Sequence, residues 1–328
     1  MFAVDITQSP DTRKFYRTTA KRLLSAAGNA LGLDVQSAAA TIRTNEVVQW
    51  FLSQNGVWEP ATIRVYKAAL AYVVEAGCRK RPDDKELRLA LDELEQTKGP
   101  APREGGSPRT SARKRKAMTP EEAGAIVRCL AAAPHRHAPL ASGLLQYGVE
   151  FGLRPSEWQG AHIEDGFLVV INAKRTNGRG NGETRRFDLA TWTEVKIAEL
   201  QTFLDALAAA LTSEPWGKIY RAARGQLAVA CNKAAATVPS LRGRPIAFYT
   251  GRHVAGARAK KAMPPAEVAA FLGHATDRTA QIHYARARSA RSWGPLATTP
   301  DPAQVATVRR AYRERNVGAN RPSSPAAP

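Results

Sequence analysis

Arg252, His274 and Tyr284 fall within one stretch, Tyr249 to Arg286, which reads Tyr-Thr-Gly-Arg-His, then Leu-Gly-His, then His-Tyr-Ala-Arg. A guanidinium is a fixed cation whose planar donor fork suits phosphate oxygens. An imidazole donates to the same oxygens or moves a proton, and a phenol can become a covalent nucleophile. Together they supply what phosphoryl transfer on a diester backbone requires when no metal takes part. Arg, His and Tyr standing alone are more often surface or packing residues, so the set gains meaning only if further residues join it.

Two residues upstream do so. In Gly152-Leu-Arg-Pro-Ser-Glu-Trp158, Gly152 stops one helix and Pro155 helps to start the next turn. Arg154 is thereby held at a helix junction, a good place for a fixed phosphate ligand, while Glu157 reads as helix support. Lys174 stands at the near end of the glycine-rich basic loop Ala173 to Glu183, where flanking strands hold it better than the tip holds Arg179. An ammonium there can reach a groove of nucleic acid or protonate a leaving oxygen. The loop is not a phosphate-binding Walker loop, because no Gly-Lys-Ser/Thr follows and no helix opens.

The elements that position these residues are mainly helical. Helices are expected over Asp11–Leu31, Asn45–Leu52, Pro60–Gly77 and Pro82–Gln96, the third carrying Ile63, Tyr66, Leu70, Val73 and Val74 at helical spacing. These four make a small N-terminal bundle, residues 1–97, whose Arg64 and Lys67 lie on a basic face. Residues 98–117 are a Pro/Gly-rich linker ending in the run Arg113, Lys114, Arg115 and Lys116, read as a strap along a phosphate backbone. Thr119-Pro-Glu-Glu122 then opens a second domain, 118–296, with an N-cap, a proline in the first turn and two carboxylates facing the helix dipole.

Within that domain the only clear strand pattern is Gly166–Asn172 paired with Thr184–Leu189 around the basic loop. Helices follow at Thr193–Leu211, Trp216–Val238, Thr250–Met263, Pro264–Leu272 and Asp277–Arg286, the last carrying Tyr284. A helix over Pro302–Arg315, in a segment 297–316, places Val305, Val308 and Tyr312 on one face, free to exchange between protomers. Residues 317–328 read as a disordered tail by composition.

A net charge of +19 over 328 residues, spread along the chain, favours a polyanionic partner. Cys78, Cys129 and Cys231 are far apart and in no CxxC spacing, which suits reduced, packed thiols. His135 and His137 form no ligand set at zinc spacing, so neither metal nor cofactor is expected. The N-terminus lacks an apolar signal core and no run approaches a membrane span. The expected setting is the cytoplasm, in association with the nucleoid.

The order Gly-Leu-Arg-Pro-Ser-Glu-Trp, Lys on a β-hairpin, Arg-His, Leu-Gly-His and a late Tyr resembles the tyrosine recombinase (phage integrase) family, over about Arg113 to Tyr284. By layout alone, the N-terminal helices look like that family's core-binding domain. The resemblance implies Arg154 and Arg252 as the two catalytic arginines, Lys174 as the hairpin general acid, His274 at the His/Trp position and Tyr284 as nucleophile. It implies a 3′-phosphotyrosyl intermediate on double-stranded DNA, contacts from Arg64, Lys67, Arg113–Lys116, Arg175 and Arg179, and a homotetramer on two DNA sites. An accessory DNA-bending or directionality factor belongs to the same expectation.

Two departures stand out. Tyr249 occupies the place where the family usually has a His, which shifts proton transfer onto Lys174 and His274. The family's Tyr usually comes one residue sooner after Leu-Gly-His, where this chain has His283. A type IB topoisomerase, a DNA-binding relative that has lost catalysis and an RNA-binding helical protein are the competing readings.

Overall fold

The computed structural model describes residues 10–32, 44–54, 56–97, 115–173, 180–243 and 246–311, with the main chain alone at 11, 280, 282 and 283. Expectations for Arg113, Lys114, Lys174, Arg175, Arg179, Tyr312 and the His283 side chain lie outside the described residues. The chain divides into two compact units, 1–113 and 114–328.

The first unit is helical among its described residues: α1 (Pro10–Ala30), α2 (Thr44–Ser53), α3 (Pro60–Lys80) and α4 (Lys85–Gln96). Leu23, Val48, Phe51, Leu70, Val74, Leu87 and Leu94 close on one another as its core. Gly77 does not end α3 as the sequence suggested. A Cβ there would meet Leu87 Cδ1 at 3.1 Å, so this glycine lets α4 approach a helix that continues to Lys80. Asp84 caps α4 by accepting from the Leu87 N–H. Arg64 is exposed on α3, whereas Lys67 donates from Nζ to the Thr97 carbonyl at 2.9 Å and so joins α3 to the end of α4.

The second unit starts with α5 (Pro120–Ala131), closed by the expected cap: Thr119 Oγ1 accepts from Glu122 N, and the Glu122 carboxylate accepts from Thr119 N. Buried α6 (Ala138–Phe151) ends at Gly152, whose φ of 59° only a glycine adopts without strain. Then come β1 (His162–Glu164), β2 (Phe167–Ile171) and β3 (Thr184–Asp188), an antiparallel sheet in the order β1-β2-β3. β1 is too short to carry a sequence pattern, and so it was not expected. Helices α7 (Glu194–Ser213), α8 (Trp216–Ala234), α9 (Phe248–Ala262), α10 (Pro265–Phe271) and α11 (Asp277–His283) follow. Phe151, Trp158, Phe187, Phe203, Phe248 and Phe271 are among the residues of their common core, each such burial contributing about 1.5–3 kcal/mol.

Two expectations need correction here. α11 ends at His283, so Tyr284 stands just beyond the helix rather than within it. The C-terminal helix, α12, spans only Pro302–Ala306 and not Pro302–Arg315, because residues 307–311 take other bonds. Pro300 bridges to Phe187 and Arg309 to Thr276, while Gln304 Oε1 accepts from Arg186 N. Val308 is buried against Ala269 and Ala270, so in this single chain the segment packs on its own unit. No helix among the described residues is long and apolar enough to cross a membrane.

Candidate active site

The site is built around a buried carboxylate. The 3-10 turn Pro155–Gly160 places Glu157 behind Arg154, and Glu157 Oε2 accepts from the Arg154 N–H at 2.7 Å. Its Oε1 receives Arg154 Nη1 at 2.6 Å, its Oε2 receives Arg185 Nη2 at 2.6 Å, and Arg252 Nη1 lies 3.8 Å away. Burial alone would raise the Glu157 pKa, but Arg185, Arg252 and Arg154 outweigh it and hold the carboxyl far below the usual range. Three guanidiniums around one carboxylate leave an excess of positive charge at this point in the fold.

Arg185 comes from β3, where residues 185 and 187 face inward and 184 is exposed. It is fully enclosed, and burial lowers its pKa to about 10 despite the Glu157 charge. Its Nη1 donates to Asn172 Oδ1 at 2.8 Å, and Asn172 Nδ2 in turn donates to the Asn181 and Gly182 carbonyls, closing the base of the hairpin. Gly273 sits against this pair at φ 64°, and a Cβ there would collide with Arg185 Nη1 and Asn172 Oδ1. That is the physical reason for the glycine in Leu-Gly-His.

Arg252, on α9, has no exposed surface. Its Nη1 donates to the Gly152 carbonyl, its Nη2 to the Leu272 carbonyl at 2.7 Å, and its Nε to the Tyr284 hydroxyl at 2.7 Å. His274 Nε2 is 3.3 Å from Arg252 Nη2, and its buried Nδ1 has no partner among the described residues. Burial, then Arg252, Arg154 and Arg185, lower the His274 pKa to about 2, so it is neutral at ordinary pH. Arg154, Arg252, His274 and Tyr284, far apart in sequence, therefore meet in one cluster.

The other expected residues do not all join it. Tyr249 is 43% exposed on the first turn of α9. Thr250, expected as the first residue of its helix, lies inside α9, which starts at Phe248, and its Oγ1 accepts from Ala247 N and donates to the Arg115 carbonyl. Arg115 is not a free strap residue: it pairs with the Glu122 carboxylate and donates to the Ser240 carbonyl at 2.9 Å. Lys116 is exposed, and its charge bears on His253.

Sequence reasoning missed Arg185, Asn172 and His253, and gave Glu157 only a supporting place. The alternation of β3 held a signal, since a charged residue on the same inward face as Phe187 requires a buried partner. The ring of His253 lies 5.4 Å from that of Tyr284. Burial, with Lys116, Arg252 and Lys260, lowers its pKa to about 4. An unfolded chain binds this proton near an ordinary pKa of about 6.5, whereas the folded chain refuses it until about 4. The His253 contribution to stability is therefore complete above about pH 6.5 and lost as pH falls toward 4. Calorimetric scans from neutral to mildly acidic pH should show a smaller fall in unfolding temperature for His253→Asn than for the natural chain.

No family model and no curated protein matches the chain. Among solved structures it is similar to a lambda integrase dimer bound to a COC′ core site, at 15% identity over 89% of this chain and 92% of that one, TM-score 0.47. It is similar to the Tn1549 transposon integrase in complex with a circular intermediate DNA, at 12% identity over 75% and 82%, TM-score 0.41. It is also similar to the XerH site-specific recombinase bound to difH in a pre-cleavage complex, at 14% identity over 89% and 90%, TM-score 0.41.

Proposed function

We propose that this chain is a DNA strand transferase of the tyrosine recombinase type, which cleaves and rejoins duplex DNA through a covalent bond to Tyr284. The observation that carries this reading is the phenol held 2.7 Å from Arg252 Nε at the edge of a buried, positively charged cluster. A phosphodiester placed there would have its non-bridging oxygens faced by Arg154, Arg252 and His274. These groups counter the negative charge that grows in the transition state.

In this mechanism Tyr284 Oη forms a bond to phosphorus and the bond to the 5′ oxygen breaks. Lys174 would protonate that oxygen, and neutral His274, whose proton affinity rises beside a bound phosphate, would take the phenol's proton. The diester energy stays in the 3′-phosphotyrosyl link, so rejoining needs no nucleotide cofactor. Glu157, Arg185 and Asn172 do not touch the reacting atoms; they fix Arg154 and the base of the Lys174 hairpin. The exposed position of Tyr249 suits a site that works without the imidazole usual there.

Double-stranded DNA as partner fits the net charge of +19. Assembly as a homotetramer on two DNA sites belongs to the same proposal. Exchange of the segment 297–316 would then require the Phe187–Pro300 and Thr276–Arg309 bridges to open. The test is incubation with nicked duplexes of randomised sequence in the presence of a metal chelator. A protein–DNA adduct that survives detergent is expected, and DNA recovered without any adduct would contradict the proposal. Relaxation of supercoils with no joining of two sites would assign the chemistry to a topoisomerase instead.

A further inference from the structure

Tyr284 stands past the last residue of α11, where the helix's own hydrogen bonds no longer fix the chain. Something else must hold a nucleophile in that position. Residues 252, 256 and 260 recur every fourth residue along α9 and so share one face. Arg252 Nε donates to the Tyr284 hydroxyl at 2.7 Å. At Gly256 an added Cβ would lie 3.4 Å from Tyr284 Cδ1 and 3.5 Å from Tyr284 Cβ, ordinary contact distances, so the tyrosine lies over this position with room for a methyl group and no more. Lys260 Nζ reaches the Tyr284 carbonyl at 3.2 Å and the Gln281 carbonyl at 3.4 Å.

We propose that this face of α9 is a three-point holder for the tyrosine, with Lys260 a positioning residue that acts through the main chain of Tyr284. The inference rests on the reading of Tyr284 as nucleophile and adds a residue which that reading did not contain. A helix leaves its last carbonyls without partners, and a cation there is favoured by both hydrogen bonding and the helix dipole. Lys260 fills that place at the end of α11 from a neighbouring helix. Its half-buried ammonium has its pKa lowered by burial to about 8, a sign of how closely it is enclosed. With hydroxyl, ring and carbonyl each fixed to one rigid helix, the phenol oxygen cannot move relative to Arg252 without breaking one of the three contacts.

The experiment compares Lys260→Met and Lys260→Arg with the natural chain, full length, in two measurements. Hydrogen exchange without DNA reads the amides of residues 277–285. Lys260→Met should speed exchange there about tenfold, through a loosened local structure. Single-turnover adduct formation on a duplex that the natural chain cleaves should slow by about 10–100-fold, since small misplacements of a reacting group cost this much. DNA affinity should stay within about twofold, because no phosphate contact is removed. Lys260→Arg should restore both measurements in large part. Gly256→Val, which would displace the ring while leaving Lys260 intact, should slow the adduct in the same way.

Unchanged exchange in Lys260→Met would overturn the holder, and so would an adduct rate equal to that of the natural chain. Failure of Lys260→Arg to do better than Lys260→Met would overturn it as well. An adduct still formed by Tyr284→Phe would sink the nucleophile reading instead, and the exchange measurement would still decide whether Lys260 holds the segment.

Discussion

Glu157→Gln will destabilise the C-terminal unit by about 3–5 kcal/mol, the usual cost of removing one partner from a buried ionic group. The amide keeps the shape of the side chain but removes the charge that Arg154 and Arg185 both meet at 2.6 Å. Each guanidinium is then left desolvated beside the others, and Arg252 adds a third. An amide has a single acceptor oxygen, so it cannot serve Arg154 Nη1, Arg185 Nη2 and the Arg154 N–H together. Chemical unfolding followed by circular dichroism measures the effect. A midpoint equal to that of the natural chain would show that the cluster is not held by this carboxylate.

Arg252→Lys should lower strand cleavage by about 10²–10³-fold, the loss typical of removing one donor to a developing charge, with DNA affinity changed only a few-fold. The charge is kept, but the fork that reaches Gly152, Leu272 and Tyr284 at once is lost. A single ammonium cannot span three acceptors on separate elements. Rates from single turnovers, set beside affinities from titration, separate the two effects. Equal losses in rate and affinity would make Arg252 a plain backbone contact.

Much of this site was legible in the sequence because its pieces are local. Gly152 before Arg154 is a short-range signal, a left-handed residue that ends a helix wherever the surrounding chain runs. The helix start with a clear cap, Thr119, agreed with the structure closely, since a side-chain oxygen at a helix end acts over three residues, whereas the start read at Pro82 falls at Lys85, behind the cap Asp84. What the sequence hid depends on distant partners. Gly77 looked like a stop until Leu87 came to rest on it. Arg115 looked like part of a basic run, but its guanidinium meets Glu122 and Ser240 within the same unit. Arg185 resembled any strand cation until Glu157, Asn172 and Gly273 enclosed it. The C-terminal helix was read too long because Val305, Val308 and Tyr312 fit a helical stripe, whereas Val308 packs from irregular chain bonded to the Ala275–Asp277 segment.

The identity of the residue joined to DNA tests the whole account most directly. Adduct formed on nicked duplex is digested with nuclease and protease, and the modified peptide is sequenced by mass spectrometry. A phosphonucleotide on Tyr284, absent when Tyr284→Phe is used at equal DNA occupancy, is the predicted result. A modification on any other residue, or an adduct that persists in Tyr284→Phe, would contradict it.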